Sequence, residues 1–326
     1  MSETKTDSIL QRPLEFAGDP ADLSTQQLVE LSGNIFRQSK VTKVFNIDGA
    51  ALNKLLSEVF KHHRQNDYHN HSHACHVLLN TFRFLSPIIP TIPPIETLTV
   101  LLSALCHDLD HAGVPNASLV SQKADVAIKY DGVSPLENHS VDEAFNFFQA
   151  DGMKVLDNLN ESDKAFFTAN FRDLILATDL GNAAKGAETK EQWSSHFGNG
   201  RGSCWAELQH QLPRRLAMYR LVLLAADIGI VCETPQVYVN WVARLFKEMS
   251  ASDPKLELVG FYTGQSKFLD FYAQPMYEKL VSVEFLNFAG VHSTRLKANR
   301  AAIGIHLAAL TNQSASQDHL DVKLWS

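Results

Sequence analysis

The chain has 326 residues, 45% of them apolar and 20% charged, with Asp and Glu outnumbering Lys and Arg by 36 to 29. That composition is the one of a folded globular chain, and a net charge of −7 without any long basic run argues against a nucleic-acid-coating surface. No apolar run approaches a membrane span and the four cysteines show no C-x-x-C spacing, so the sequence reads as that of a soluble, cytoplasmic protein with free thiols.

The first 40 residues read as a peripheral N-terminal extension. In "ALNKLLSEVFKHH" (51–63), Leu52, Leu55, Leu56, Val59 and Phe60 fall at i, i+3, i+4, i+7 and i+8, which predicts a helix with one apolar stripe. His62 and His63 at its end read as solvated. "YHNHSHACHV" (68–77) follows, with four histidines in ten positions. If 68–80 is helical, His69 and His73 share a face, His76 lies one turn on, and His71 points away into solvent. The Pro-rich "SPIIPTIPPIE" (86–96) reads as a loop.

Within "LLSALCHDLDHAGVPN" (101–116), an apolar helix over 101–111 delivers His107 and Asp108 side by side, with His111 one turn further. "SPLE" (134–137) has the form of a capping box, with Ser134 at N-cap, Pro135 at N1 and Glu137 at N3. Phe167, Phe171, Leu174 and Ile175 form a second helical stripe, and the Gly/Ser/Lys-rich 181–203 reads as a loop. "RLAMYRLVLLAADIGIVC" (215–232) buries Asp227 in a strongly apolar helix, and Thr234–Pro235 open the next one. Alternating β-branched runs are almost absent. The expectation is therefore an all-α fold with one domain, 41–312, followed by a tail, 313–326.

An isolated ionised carboxylate at Asp227 would cost several kcal/mol, so it should be neutral, paired or metal-bound. Arg220 is the only base within two turns. Imidazole with carboxylate suits Zn²⁺, Mn²⁺ or Fe²⁺, and carboxylate with water also suits Mg²⁺. Two histidines and two aspartates from separate helices could hold one ion, and a bridging Asp a second. Two ions roughly 3.5–4 Å apart can activate a water and clamp a phosphoryl group.

"YHNHSHA", "HDLDHAGVPN", "SPLENH", "LATD" and "AADI", in that order, resemble the catalytic domain of the class I cyclic nucleotide phosphodiesterases, a branch of the HD hydrolases. The resemblance runs from about Phe45 to about Arg300. It implies hydrolysis of a 3′,5′-cyclic nucleotide, cAMP or cGMP, to the 5′-monophosphate, with a metal-bridging hydroxide as nucleophile. His73, His107, Asp108 and Asp227 match the ligands of a tight metal, usually Zn²⁺, and Asp108 would bridge to a second ion, usually Mg²⁺ or Mn²⁺.

By the same resemblance, His69 matches the general acid that protonates the departing O3′. Glu137 matches the carboxylate that orients it, and His111 the residue that steadies waters and phosphate. "YTGQSKFLDF" (262–271) resembles the segment with a purine-reading glutamine and an aromatic clamp, falling on Gln265 and Phe268. Leu245 would be the opposite jaw. Tyr238 and Trp241 match in spacing, and Tyr68 and Ile230 complete the expected substrate-binding set.

Three positions depart from the family pattern: Ser140 and Ala183, where histidines are usual, and Ile230, often an asparagine touching the base. Two rivals follow, a non-catalytic cyclic-nucleotide-sensing module and an HD phosphohydrolase acting on another nucleotide. Lys and Arg are sparse near the motifs, which counts against the second. Intact His69 counts against the first, because a binder needs no leaving-group acid. Control is expected through the termini, a regulatory domain in a longer protein, or self-association.

Overall fold

Four polar residues start four of the helices by offering side-chain oxygens to otherwise unpaired backbone N–H groups. Ser24 caps α1 (Thr25–Gln38) in a full capping box with Gln27, and Asp48 caps α2 (Gly49–His62) by accepting from Ala51 N. Asn70 caps α3 (His71–Leu85), accepting from the N–H groups of Ser72 and His73. α4 (Pro94–Cys106) and α5 (Pro135–Gln149) begin on prolines, and Asn160 caps α6 (Glu161–Leu176). Beyond these come α7 (Leu212–Asp227), α8 (Pro235–Ser252), α9 (Leu258–Phe268), α10 (Gln274–Val281) and α11 (Phe288–Ala315).

The computed structural model describes residues 10–182, 205–281 and 288–315, with positions 186, 188, 191, 193–195, 197, 283 and 286 between them. The fold is all-α, with no strand among the described residues. α4 lies between α3 and α6, α7 packs on α3, and α9 and α10 pack on α11. Every residue of α4 from Glu96 to Cys106 is buried, so this helix is buried all round rather than on one stripe.

α4 and α7 run parallel, because contacts tie both their starts and their ends. At the starts, the Arg215 guanidinium donates to both oxygens of Glu96, at 2.8 and 2.6 Å, and Tyr219 Oη donates to the same carboxylate at 2.8 Å. At the ends, His107 Nε2 lies 3.2 Å from Asp227 Oδ1.

Several expectations are corrected here. The segment before residue 41 is not peripheral: Leu10, Phe16, Leu28, Leu31, Ile35 and Phe36 belong to the main core. Their spacing in α1 makes an apolar face that must be covered. The predicted helix over 68–80 starts at His71, because Asn70 is extended and turns its side chain onto the first turn. Tyr68 and His69 therefore precede the helix and do not share its face with His73. Ser134 adopts φ 43° and makes no side-chain cap, so the capping box with Glu137 does not form. Asn116 caps α5 from another segment instead, accepting from Leu136 N at 3.0 Å.

Within the expected loop 181–203, Trp193 and Phe197 are helical, buried and stacked at 4.1 Å. His63 is not solvated: it is 2% exposed, its Nδ1–H donates to Val59 O at 2.8 Å, and burial pushes its pKa down to about 4. His62 is half-buried, 3.1 Å from Glu143. Ala183, Cys204 and most of the tail 313–326 lie outside the described residues.

Candidate active site

Three helix ends converge on one point. His73 stands in the first turn of α3, His107 at the C-terminal boundary of α4 with Asp108 next to it, and Asp227 closes α7. One potential ligand atom from each of these four residues lies within 4.8 Å of the other three. His73 Nε2 is 3.0 Å from Asp227 Oδ1 and 3.4 Å from Asp108 Oδ2, and His107 Nε2 is 3.0 Å from Asp108 Oδ2.

The tautomer of His107 follows from its partner. Its Nδ1 lies 3.0 Å from Ala104 O, which can only accept, so Nδ1 carries a proton and Nε2 faces the carboxylates. Burial alone would lower the His107 pKa, yet Asp108 and Asp227 outweigh it and raise the value well above the ordinary range. Burial would likewise raise both carboxyls, and His107 holds them low.

This donor set fits a divalent cation. Two imidazole nitrogens and two carboxylate oxygens form a mixed N/O set suited to Zn²⁺ or Mn²⁺. The described ion-pair partners of Asp108 and Asp227 are His73 and His107, with no Lys or Arg among them. Arg220, the one base near Asp227 in sequence, pairs instead with Asp173 at 2.6 Å. The negative ends of the α4 and α7 dipoles add to the attraction for a cation.

A second cluster stands beside the first. His69 Nδ1 lies 2.5 Å from Glu248 Oε1, while the backbone N–H groups of Tyr68 and His69 donate to Glu248 Oε2 at 2.8 and 3.0 Å. Burial would lower the His69 pKa, but the Glu248 bond and the nearby carboxylates raise it. Glu248 itself is held down to about 2 against its burial, so it remains an anion at neutral pH. This arrangement leaves Nε2 of His69 as the nitrogen available to another group.

His111 stacks on His69 at 4.0 Å. It accepts from Gly113 N through Nδ1 at 3.0 Å, and burial pushes its pKa down to about 3, so it is neutral with the proton on Nε2.

Glu137 does not touch His69. It accepts from Asn116 Nδ2 at 2.8 Å, and burial together with the Asp179 charge pushes its pKa up to about 7. The residue in the orienting position is Glu248, which sequence reasoning missed. One signal was available: Tyr238, Trp241, Leu245 and Glu248 lie along one stripe of α8, so a carboxylate stands where an apolar residue would be expected. Ser140, in place of a histidine, donates to Leu109 O at 2.9 Å, and His139 Nε2 lies 2.8 Å from Asp110.

Two cavities meet at His69 and Leu245. One, of about 200 Å³, is lined by Tyr68, His69, Asp227, Ile230, Leu245, Gln265 and Phe268 among others. The other, of about 280 Å³, is lined by His69, His111, Glu137, Asp179, Leu245 and Glu248 among others. Tyr238 and Trp241 line neither cavity, and both are fully buried. Trp241 packs against Tyr68 at 5.4 Å and His73 at 6.1 Å, and its indole N–H donates to Asp19 at 3.1 Å. It is the wall behind the site rather than part of its lining.

A helical fold with clustered His and Asp donors beside an apolar cavity is the arrangement expected of a metal-dependent hydrolase. The family model for 3′5′-cyclic nucleotide phosphodiesterase matches residues 68–287, more than half of the chain. The chain belongs to that family. It is 27% identical over 273 residues to a cGMP-specific 3′,5′-cGMP phosphodiesterase of Dictyostelium discoideum, covering 79% of this chain and 56% of that protein. It is 25% identical over 274 residues to a probable 3′,5′-cyclic-AMP phosphodiesterase of Caenorhabditis elegans, covering 77% of this chain and 39% of that protein. The chain thus spans about half, or less, of the length of these relatives. The crystal structure of the phosphodiesterase domain of a rhodopsin fusion protein from Salpingoeca rosetta superposes with a TM-score of 0.81 at 26% identity, covering 94% of this chain and 99% of that one.

Proposed function

We propose that this chain hydrolyses 3′,5′-cyclic nucleotides to nucleoside 5′-monophosphates. The observation that carries the proposal is the pairing of His69 with Glu248 beside the four-residue His/Asp donor set, on the rim of an apolar cavity that also contains Gln265 and Phe268. His73, His107, Asp108 and Asp227 would hold the tighter ion, Zn²⁺, and Asp108 would also serve a second, Mg²⁺ or Mn²⁺. When bound, the two ions would supply a water activated near neutral pH and would neutralise charge on the phosphoryl oxygens.

The remaining steps belong to the protein's own side chains. Glu248 keeps His69 protonated and fixes its ring, so that His69 can deliver a proton to O3′ as the P–O3′ bond breaks. His111, neutral, offers its Nε2–H to water or phosphate oxygen beside it. Phe268 and Leu245 would grip the base, with the Gln265 amide free to present either face to a purine edge. Ile230 in the same cavity adds apolar contact and no hydrogen bond. cAMP and cGMP are therefore both candidate substrates, and of the two relatives above one is named for each.

The proposed partner is the nucleotide alone, with control exerted by segments outside the catalytic fold or by self-association. Cys75, Cys106 and Cys232 are free and buried, which suits the proposed cytoplasmic setting, and no described helix is long and apolar enough to cross a membrane. The test is hydrolysis of cAMP and cGMP in parallel, with Mg²⁺ or Mn²⁺ and with a chelator control. Metal-dependent release of 5′-AMP or 5′-GMP is expected. Metal-loaded protein that turns over neither would overturn the proposal.

A further inference from the structure

The two stacked histidines come from different segments, and Asn66 joins the two backbones. Its side-chain amide donates one N–H to the carbonyl of His69 at 3.0 Å and the other to the carbonyl of His111 at 2.8 Å. A carboxamide NH₂ has two donors, and here each is spent on one of the two histidine segments. Its oxygen lies under Gly113, where an added Cβ would stand 2.9 Å from Oδ1. Gly113 is also the residue whose N–H selects the His111 tautomer, and its φ of +71° favours glycine.

The main chain of Asn66 carries the same connection inward. Asn70 Nδ2 donates to Asn66 O at 3.0 Å, and Asn70 Oδ1 accepts from the N–H of His73 at 3.2 Å. One residue therefore ties the His69 turn, the His111 turn and the start of the helix that carries His73.

We propose that Asn66 is a positioning residue for leaving-group protonation: its amide sets the register of His69 against His111 and so aims the acid at O3′. This rests on the phosphodiesterase reading above. Asn66 would touch no substrate; it acts through the two histidines.

The experiment compares wild type with Asn66→Ala and Asn66→Asp on two substrates. One is the preferred cyclic nucleotide, whose 3′-alkoxide needs a proton to leave. The other is bis(p-nitrophenyl) phosphate, whose p-nitrophenolate leaves without one. Expected is a loss in kcat on the cyclic nucleotide on the order of 10–100-fold, as for residues that support a catalytic group from behind. KM, bound metal and p-nitrophenyl ester hydrolysis should stay close to wild type. Should Asn66→Ala fail to fold, the isosteric Asn66→Asp carries the test, since it keeps the volume and loses both donors.

Equal losses on both substrates would reduce Asn66 to a structural role and overturn the proposal, as would unchanged kcat in folded variants. Wild-type protein inactive on both cyclic nucleotides would instead remove the underlying functional reading, which keeps the two failures apart.

Discussion

The parallel pair α4 and α7 has two ends built from similar ingredients and put to opposite use. At the starts, Glu96 meets a full complement of donors: two from Arg215 and one from Tyr219, all buried. At the finishes, Asp108 and Asp227 meet two imidazoles and no permanent cation. A buried charge is tolerated when it is paired and hydrogen-bonded, and a closed network has no capacity left for a ligand. Such closure makes a brace, whereas its absence at the finishes makes a receptor for positive charge. The ligand site can stay open because the same two helices are locked at the far end.

The comparison breaks first at Asp227. Asp227→Ala should lose the tight metal and with it all measurable turnover, read by elemental analysis and by cyclic nucleotide hydrolysis. In metal-depleted protein the same substitution should lower Tm, since His73 and His107 lose a paired carboxylate whose pKa they hold below the ordinary value. A full metal equivalent in the variant would sink the assignment.

His69→Ala leaves the donor set intact and should retain metal while turnover falls on the order of 10²–10⁴-fold, the usual share of a general acid. Near-normal turnover would remove His69 from the mechanism. At the braced end, Arg215→Ala strands Glu96 and should cost about 3–5 kcal/mol in unfolding free energy. In the folded fraction at low temperature, metal content and kcat should be close to wild type, checked by denaturant titration alongside the assay. Loss of metal with little loss of stability would invert the proposed division of labour.

The smallest effect concerns pH. In the proposed mechanism His69 must be protonated to act, so kcat should fall as pH rises through its pKa. Glu248 helps to hold that pKa up against burial, so Glu248→Gln should move the alkaline fall of the kcat profile to lower pH. An unmoved limb would show that another group sets it.

Much of the His/Asp cluster was legible because its members are anomalies in sequence: a His–Asp step at the end of an apolar helix and a lone Asp in another. Each is costly unless something is bound. The helical stripe of α2 was legible for the ordinary reason that period 3.6 needs no partner to be seen. Glu248 was harder, because its meaning lies in a contact with His69 across 179 positions of chain. Glu137 offered a local motif, a capping box, and Asn116 displaced it from outside the helix. The start of α3 was obscured because Asn70 competes for the backbone that propensity would assign to helix. Asn66 carried no signal at all. An asparagine in a polar turn looks like any other until the carbonyls it joins are in view.

The hydrogen bond from Trp241 to Asp19 bears on how this chain could be divided. Asp19 lies well before residue 68, where the family pattern begins, yet it holds the residue that backs Tyr68 and His73. A protein cut between the two would leave a buried indole N–H without its acceptor, at about 1–3 kcal/mol, and where α1 goes with the cut would uncover the faces of α2 and α3 that it packs on. A truncation or graft at this boundary must therefore keep the first strap of chain or rebuild the wall behind the His/Asp cluster. The unit of inheritance is longer than the unit of recognition.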